Sequence, residues 1–288
     1  MPELPEVEVT RRGLLSGVLN QSVTRVWASG LPLRTTVSVQ KLRAYLLGKE
    51  IAAIDRRAKY LLFRFADGTV LTVHLGMTGK LGLLAIGAAN HKHDHLILEL
   101  SSGQELRYND TRRFGALAIW SAKTAREQEM LLHAHEGIEP LGPDFQPEKI
   151  FSLAQGKNTP IKSVLMNGRL IAGIGNIYAS EILFAAGVHP LAPAGSLALA
   201  KWEELAEQTI RILNEAIAAG GSTIADFLGA NGNPGYFQLQ LQAYGRTGKP
   251  CPRCGTPIER FLVAGRSTWF CPSCQQLSAA KAVRSKKS

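Results

Sequence analysis

The placement of the four cysteines constrains this 288-residue chain more than any other feature. All of them lie in the last 40 residues, at Cys251, Cys254, Cys271 and Cys274. The spacing C-x2-C-x16-C-x2-C is typical of a zinc ribbon, in which two tight turns each direct two thiolates at one ion. Four soft thiolates favour zinc and leave no coordination position open for catalysis. The spacing therefore predicts one structural zinc ion, with disulfides as the alternative, and no pattern indicates an organic cofactor.

The segment between the two cysteine pairs predicts a β-hairpin. It reads IERFLVAGRSTWF over residues 258–270, and its tip falls near Ala264, Gly265 and Arg266. A segment this short has little apolar core of its own, so a closed zinc site would keep it rigid. Arg266 at such a tip is well placed to meet a phosphate group, and simple solvation is the alternative for an arginine in a turn.

Charge is distributed unevenly along the chain, whose formal net charge is +10. Residues 1–135 carry 18 basic and 12 acidic side chains, residues 136–244 carry 6 and 10, and residues 245–288 carry 9 and 1. Two basic regions around an acidic one favour a protein that holds a polyanion such as nucleic acid. Solubility together with a basic tail is the alternative that charge alone leaves open.

The apolar residues are too dispersed for a membrane protein. No run of about 18 apolar residues occurs, and the opening MPELPEVEVTRRG lacks the apolar region of a secretion signal. Hydrophobic residues nevertheless make up 45% of the chain, which is enough for a folded core. We expect a cytoplasmic protein without a membrane partner.

The pattern of apolar residues divides the chain into regions of different structure. Residues 4–19 predict an amphipathic helix, and residues 22–120 contain short β-branched runs separated by turns, as in an antiparallel sandwich or barrel. Residues 121–150 hold several Gly and Pro residues and predict a linker. The pattern beyond them is helical.

The helical region contains one long helix, for which the sequence predicts an N-cap at Ser196 and a stop at Gly220 and Gly221. A loop is predicted at residues 223–244. The predicted domains are residues 1–135, 136–244 and 245–288.

The first residues carry a candidate nucleophile. Removal of the initiator methionine, which a small second residue permits, would leave Pro2 with a free secondary amine. An α-amine titrates near neutrality, and its attack on an aldehyde-level carbon gives an iminium ion, an electron sink for elimination. Glu3 and Glu6 lie at helical spacing and could supply a general acid and an orienting carboxylate. The same residues also fit an ordinary helix start with proline and acids in its first turn.

The segment MPELPEVEVTRRGL resembles the signature of the formamidopyrimidine-DNA glycosylase family, bacterial base-excision-repair enzymes that remove oxidised purines and cut the DNA strand. Six further segments are similar to family motifs, in the family's order: RRAKYLLF, HLGMTGKL, KHDH, NDTRRFG, GIGNIYASEILF and the four-cysteine finger. The resemblance spans essentially the whole chain. It implies an α+β fold, with an N-terminal antiparallel β-sandwich domain and leading helix, then a helix–two-turn–helix domain that ends in a β-hairpin zinc finger.

The resemblance implies a bifunctional DNA glycosylase and AP lyase that removes 8-oxoguanine and formamidopyrimidines from duplex DNA. Pro2 would attack the sugar C1′ and form a Schiff base. Glu3 would donate the proton that opens the sugar ring, with Glu6 beside it. Lys59 would assist β-elimination and bind phosphate, and Arg266 would hold the phosphate of the lesion and assist δ-elimination.

The resemblance also implies residues that contact DNA. Asn176 would bind phosphate through its side chain and a helix N-terminus, and His93, Arg112 and Lys157 match DNA-contacting positions. A wedge that fills the gap left by an everted base comprises Met77, Arg112 and Phe114. Thr111 stands where the family usually has proline, which we expect to loosen the loop that carries Arg112.

The implied partner is damaged double-stranded DNA, bound by a monomer that associates with the nucleoid in a bacterial cytoplasm. Two other functions remain open. A sister enzyme of the endonuclease VIII type removes oxidised pyrimidines by the same amine chemistry, but it typically has glycine where this chain has Leu4 and commonly lacks the full wedge. A non-catalytic zinc-ribbon DNA-binding regulator would not need Pro2, Glu3 or Lys59.

Overall fold

The computed structural model describes residues 2–35, 38–221 and 241–277. The chain divides into two compact units, Met1–Ala134 with Ala219–Phe237, and His135–Ala218 with Gln238–Ser288. Most of the loop predicted at residues 223–244 lies outside the described residues, as does the basic end of the chain. No helix among the described residues is both long enough and apolar enough to cross a membrane.

The first unit consists of helices around two four-stranded antiparallel sheets. Its elements in chain order are α1 (Leu4–Val18), β1 (Val23–Ala28), α2 (Val39–Leu46), β2 (Ile51–Arg57), β3 (Tyr60–Phe65), β4 (Val70–His74), β5 (Gly79–Ala85), β6 (Asp94–Leu100), β7 (Gln104–Asp110), β8 (Ala116–Trp120) and α3 (Ala125–His135). One sheet has the strand order β1-β6-β7-β5, and the other has the order β2-β3-β4-β8.

Helix α1 begins where local chemistry satisfies its first backbone groups. The Glu3 N–H donates to the Glu6 carboxylate at 2.8 Å, which satisfies one N–H group at the helix start. Val7, Leu14 and Val18 are buried and join the core beneath the helix. The predicted leading helix is confirmed, and it ends one residue earlier than predicted.

Side chains from both four-stranded sheets enter one apolar core. In β5 every second residue is buried in its first five positions, as expected for a strand with one face on a core. Leu98 of β6 and Phe63 of β3 come from different sheets, and both are fully buried in this core. The antiparallel sandwich that the sequence predicts is therefore confirmed.

The region predicted as a linker contains a helix. Ala125 and Leu132 of α3 pack with Leu62 and Val70 on the second sheet, outside the main core. The linker interpretation of residues 121–150 was wrong here because the Gly and Pro residues begin only at Gly137, after the good helix formers of α3.

The second unit is helical and ends in a hairpin. Its elements are α4 (Pro147–Ala154), α5 (Ile161–Leu165), α6 (Asn176–Ala185), α7 (Leu199–Ala218), β9 (Glu259–Val263) and β10 (Arg266–Phe270). Helix α7 packs on α4 and α6, and α6 also packs on β10.

The start of α7 differs from the prediction. Ser196 is not its N-cap: Ser196 ends a short 3₁₀ turn, its hydroxyl donates to the Pro193 carbonyl at 2.8 Å, and the helix begins at Leu199. The predicted stop is confirmed, since α7 ends at Ala218 and Gly220 then has a φ of 84°.

The hairpin of the finger has its tip where the sequence predicts it. Val263 pairs with Arg266, so the turn consists of Ala264 and Gly265 alone. Their φ angles are 46° and 74°, the left-handed values that a two-residue hairpin turn matched to strand twist requires. This turn places Arg266 at the first position of β10.

Candidate nucleic-acid interface and metal centre

The four cysteine thiols converge on one point of the second unit. All four Sγ atoms lie within 4.8 Å of one another. The Cys254 Sγ is 3.5 Å from the Sγ atoms of Cys271 and Cys274, and the Cys251 Sγ is 3.9 Å from that of Cys274. A tetrahedral site with Zn–S bonds of about 2.3 Å has S···S separations of about 3.8 Å. The thiols therefore fit one zinc ion.

The disulfide alternative does not match this geometry. A disulfide bond is about 2.05 Å long, and the four cysteines are free. The N–H groups of Arg253 and Cys274 each donate to a cysteine sulfur at 3.4 Å, as expected for turns that present thiolates to a metal.

The backbone next to Arg266 is held by two side chains from the helical part of the second unit. The Lys162 side chain is buried, and its Nζ donates to the Ser267 carbonyl at 3.1 Å and to Thr268 Oγ1 at 2.8 Å. The Asn176 Nδ2 donates to the same Ser267 carbonyl at 3.0 Å. The structure thus brings Asn176 and the Arg266 strand together, and the Arg266 side chain itself is exposed.

Lys157 lies on a separate loop of the second unit, between α4 and α5. Its N–H donates to the Ala154 carbonyl at 3.1 Å, and its own carbonyl accepts the Gly195 N–H at 2.9 Å. A Cβ on Gly195 would lie only 2.8 Å from the Lys157 nitrogen. Close backbone packing therefore fixes the loop that carries Lys157.

In the first unit, the three predicted residues at the start of the chain lie together. Pro2, Glu3 and Glu6 are all buried at the N-terminal end of α1. Gly221 lies against Glu6, since a Cβ there would be 3.4 Å from both Cγ and Oε1 of Glu6. Helix α1 packs on β2 and β3, the two strands that flank Lys59.

Lys59 lies in the two-residue turn between β2 and β3, and the structure adds His74 to its surroundings. Tyr60 pairs in register with His74, and their ring centroids are 4.8 Å apart. Burial, together with the positive charges of Arg34 and Lys59, lowers the pKa of His74 to about 4. The Nδ1 of His74 accepts the Gly76 N–H at 3.1 Å, as a neutral imidazole can.

His74 is not among the residues that the sequence predicts, because from the motif HLGMTGKL only Met77 was expected to have a role. A histidine at the last position of an apolar strand run, directly before a Leu-Gly turn, is the signal that was available. A residue at the end of a strand lies beside the turns that join the neighbouring strands, and one of these turns carries Lys59.

The three predicted wedge residues lie on two adjoining loops of the first unit. We call residues 75–78 the first wedge loop and residues 111–115 the second. Met77 is 38% exposed and Phe114 is 46% exposed, unusual values for large apolar side chains. The Arg112 guanidinium lies 4.6 Å from the centre of the Phe114 ring. A Cβ on Gly76 would be 2.4 Å from the Phe114 carbonyl carbon, so the two loops touch.

His93 lies immediately before β6, and its side chain is half-buried. Its carbonyl accepts the Asp110 N–H at 3.0 Å, so it stands beside the start of the second wedge loop. The predicted residues of the first unit are therefore found at the start of α1 and at the ends or turns of strands.

Comparison with known families follows the same division of the chain. Residues 1–117 match the model of the formamidopyrimidine-DNA glycosylase N-terminal domain, and residues 137–227 match that of the formamidopyrimidine-DNA glycosylase H2TH domain. Residues 248–277 match a zinc finger found in FPG and IleRS. The chain belongs to the formamidopyrimidine-DNA glycosylase family.

Relatives of this glycosylase family match the chain along its length. The formamidopyrimidine-DNA glycosylase of Alkalilimnicola ehrlichii is 45% identical over 282 residues, which span 96% of this chain and 100% of the relative. A Lactococcus lactis FPG mutant, solved with Fapy-dG containing DNA, has a TM-score of 0.88 and 36% identity over 96% of this chain and 100% of its own. MutM, solved with carbocyclic 8-oxo-G containing DNA, has a TM-score of 0.86 and 38% identity with the same coverage.

Membership of the glycosylase family confirms several sequence predictions. The fold class, the class of base-excision-repair DNA glycosylase, DNA binding and one structural zinc are all confirmed. The non-catalytic regulator is thereby excluded.

We expect Cys251→Ser to release the zinc ion, because the site then lacks one of four thiolates. Loss of zinc should also loosen the hairpin of Arg266 and lower affinity for duplex DNA. Zinc content and fluorescence anisotropy with labelled duplex measure the two effects. Ser273→Ala, in the turn between the last two cysteines, is the matched control and should keep both. A full equivalent of zinc in Cys251→Ser would contradict the assignment.

We expect His74 to make the fold sensitive to acid. Its folded pKa of about 4 lies below its usual 6.5, so between these values the unfolded chain binds a proton that the folded chain does not. Its contribution to stability is complete above about pH 6.5 and falls by up to about 1.4 kcal/mol per pH unit toward pH 4.

Urea unfolding at several pH values, in wild type and His74→Gln, measures this effect. The difference between the two proteins removes the acid response of the cysteines and other groups. A variant with the same loss of stability from pH 7 to pH 4.5 as the wild type would refute the prediction.

Proposed function

We propose that this chain is a bifunctional DNA glycosylase and AP lyase that excises 8-oxoguanine and formamidopyrimidines from duplex DNA. The observation that carries the proposal is the group of Pro2, Glu3 and Glu6 at the start of α1, an amine-bearing position with two buried carboxyl groups within one helical turn. The related structures that contain Fapy-dG or 8-oxo-G DNA support the choice of oxidised purines.

The chemistry begins with the Pro2 amine, freed by removal of the initiator methionine. Its nitrogen attacks C1′ of the damaged nucleotide, the bond from C1′ to the base breaks, and the amine proton passes to the departing base. Glu3 then protonates O4′ as the C1′–O4′ bond opens, which leaves an iminium ion between Pro2 and C1′. Glu6 orients this end of the helix through the 2.8 Å bond from the Glu3 N–H.

Strand cleavage follows from the iminium ion, which withdraws electrons from the sugar. Loss of a C2′ proton expels the 3′ phosphate, loss of a C4′ proton expels the 5′ phosphate, and water then hydrolyses the Schiff base. Lys59 assists the first elimination, and Arg266 holds the lesion phosphate and assists the second. Among the contacts of the described residues the Arg266 guanidinium has no hydrogen-bond partner, which supports its availability to a phosphate.

The remaining residues bind DNA or fill the gap that the everted base leaves in the stack. Asn176 and Lys157 bind the phosphate backbone, which sets register without reading sequence, and His93 also contacts the DNA. Met77, Arg112 and Phe114 replace the stacking and pairing that the everted nucleotide loses. Their exposure on adjoining loops supports this role, since eversion costs a few kcal/mol that such contacts must offset.

The proposed setting is a monomer acting on damaged double-stranded DNA in a bacterial cytoplasm. In the proposed division of labour, residues 1–135 are catalytic, residues 136–244 bind DNA through the helix–two-turn–helix, and residues 245–288 form the finger and tail. The endonuclease VIII type of activity, on oxidised pyrimidines, is less well supported because of Leu4 and the complete wedge.

We expect Pro2→Gly to lose nearly all excision of 8-oxoguanine while most DNA binding survives, because the secondary amine is the nucleophile. Borohydride trapping on abasic and 8-oxoguanine duplexes measures the covalent intermediate. Pro5→Gly is the matched control: it removes a proline from the first turn of α1 without touching the amine, and it should still be trapped.

Two results would overturn this assignment. One is wild-type turnover by protein that retains Met1, as shown by mass spectrometry. The other is trapping of Pro2→Gly at the level of Pro5→Gly. An oxidised-pyrimidine duplex in the same assay separates the two enzyme types, since faster excision of the pyrimidine would favour the endonuclease VIII alternative.

We expect Lys157→Ala and Phe114→Ala to fail in different ways. Loss of the lysine removes one phosphate contact, so the slope of log affinity against log salt should fall by about one. Loss of Phe114 removes no charge and should leave that slope unchanged, but it should slow cleavage of 8-oxoguanine duplex more than cleavage of a pre-formed abasic duplex. Equal loss on both substrates for Phe114→Ala, or a changed slope, would rule out its wedge role.

A further inference from the structure

A buried carboxylate, Asp110, stands at the end of β7 where the second wedge loop begins. Its side chain is fully buried. One carboxylate oxygen, Oδ1, accepts from the Thr78 hydroxyl and from the Arg112 N–H at 3.3 Å. The other, Oδ2, accepts from the Gly115 N–H at 2.8 Å and from the Tyr108 hydroxyl at 3.1 Å. Four donors thus share one carboxylate.

These donors come from both wedge loops. Thr78 belongs to the first loop, whereas Arg112 and Gly115 belong to the second. The Thr78 hydroxyl also accepts the Arg112 N–H at 3.1 Å, which ties the loops directly. Gly115 has no room for a side chain, because a Cβ there would lie 1.7 Å from the Tyr108 hydroxyl. Asp110 is therefore the point at which the two loops are joined.

We propose that Asp110 is a positioning residue for base eversion: its carboxylate fixes Met77 on one loop relative to Arg112 and Phe114 on the other. The proposal rests on the wedge role proposed above. An intercalating set offsets the cost of eversion only if its members enter the stack together, and a frame that is set before binding spares the cost of ordering them. Because its side chain is fully buried, Asp110 acts through the loops and not by contact with DNA.

Only a carboxylate satisfies this arrangement. Each of its oxygens faces one backbone N–H, that of Arg112 on Oδ1 and that of Gly115 on Oδ2. Hydroxyl groups can turn and accept instead, but backbone N–H groups cannot. An asparagine would present its NH₂ to one of these two N–H groups in either orientation. The second wedge loop would then lose one of its two backbone contacts to residue 110, at Arg112 or at Gly115, while the volume of the side chain hardly changes.

The decisive variant is Asp110→Asn, compared with wild type in single-turnover assays. We expect excision of 8-oxoguanine from a fully paired duplex to slow by about tenfold or more, which corresponds to roughly 1.4 kcal/mol in the barrier. Cleavage of a pre-formed abasic duplex should stay within about twofold, because no base is left to evert. A mismatch next to the 8-oxoguanine should restore much of the lost rate, because it weakens the stack.

The matched control is Glu105→Gln, which makes the same chemical change on the same strand. Glu105 is buried, but its carboxylate serves Gly87 and Arg107 rather than the wedge loops. This variant should be less stable, but its rate of excision from the fully paired 8-oxoguanine duplex should not fall more than its rate on the abasic duplex. Thr78→Val is a milder second variant that removes only the link to the first loop, and it is used should Asp110→Asn not fold. 2-Aminopurine beside the lesion reports unstacking directly.

A selective loss in Asp110→Asn, with delayed 2-aminopurine unstacking and rescue by the mismatch, supports the proposal. Three results would overturn the proposal: an equal fall in rate on the paired and abasic duplexes, the same selective fall in Glu105→Gln, or no fall in rate at all. In each of these cases wild-type excision and borohydride trapping still stand, so the failure concerns Asp110 alone. A wild type that excises no 8-oxoguanine would instead overturn the proposed function.

Discussion

Burial of apolar side chains between the two four-stranded sheets is the interaction on which the first unit depends. Each core residue such as Leu98 or Phe63 contributes roughly 1.5–3 kcal/mol when fully buried. Because this packing fixes the strands, it also fixes their ends, and Lys59, His74 and Asp110 all lie where a strand ends or turns. The candidate chemistry therefore rests on turns whose positions are set by a rigid core.

In the second unit, the strands of the finger must also be held in place, but the finger has little apolar material with which to do so. A small cluster that includes Phe184 of α6 and Ile258 packs beside the cysteines. Polar groups add what the cluster lacks: Lys162 holds the β10 backbone, and the Glu181 carboxylate accepts three N–H groups from residues 242–244 at 2.7–3.0 Å. Metal, buried cation and buried carboxylate together replace the large core of a sandwich.

Local features of the fold were predictable from the sequence, and contacts between distant segments were not. The cysteine spacing and the Ala264-Gly265 turn depend on neighbouring residues, so both were found. Ser196 was misread because its hydroxyl is used in a 3₁₀ turn rather than at the helix start. The role of Asp110 could not be predicted because its partner Thr78 lies 32 positions away in the sequence. Neighbouring residues indicate only an Asx-type hydrogen bond from the Arg112 N–H. The position of α3 also depends on a distant contact, because the helix packs on Leu62 and Val70 of the second sheet.

The division between buried and exposed residues in the wedge loops has an evolutionary consequence. The shape of the loops is set by groups that never reach the surface, Asp110 and Tyr108, together with glycines that tolerate no side chain. The side chains of Met77 and Phe114, in contrast, are among the exposed large apolar side chains of the unit. In the proposed wedge role, tip residues can therefore be exchanged in descendants of this chain without refolding the loops, so the contacts made in the gap left by the everted base can change while the scaffold is inherited unchanged.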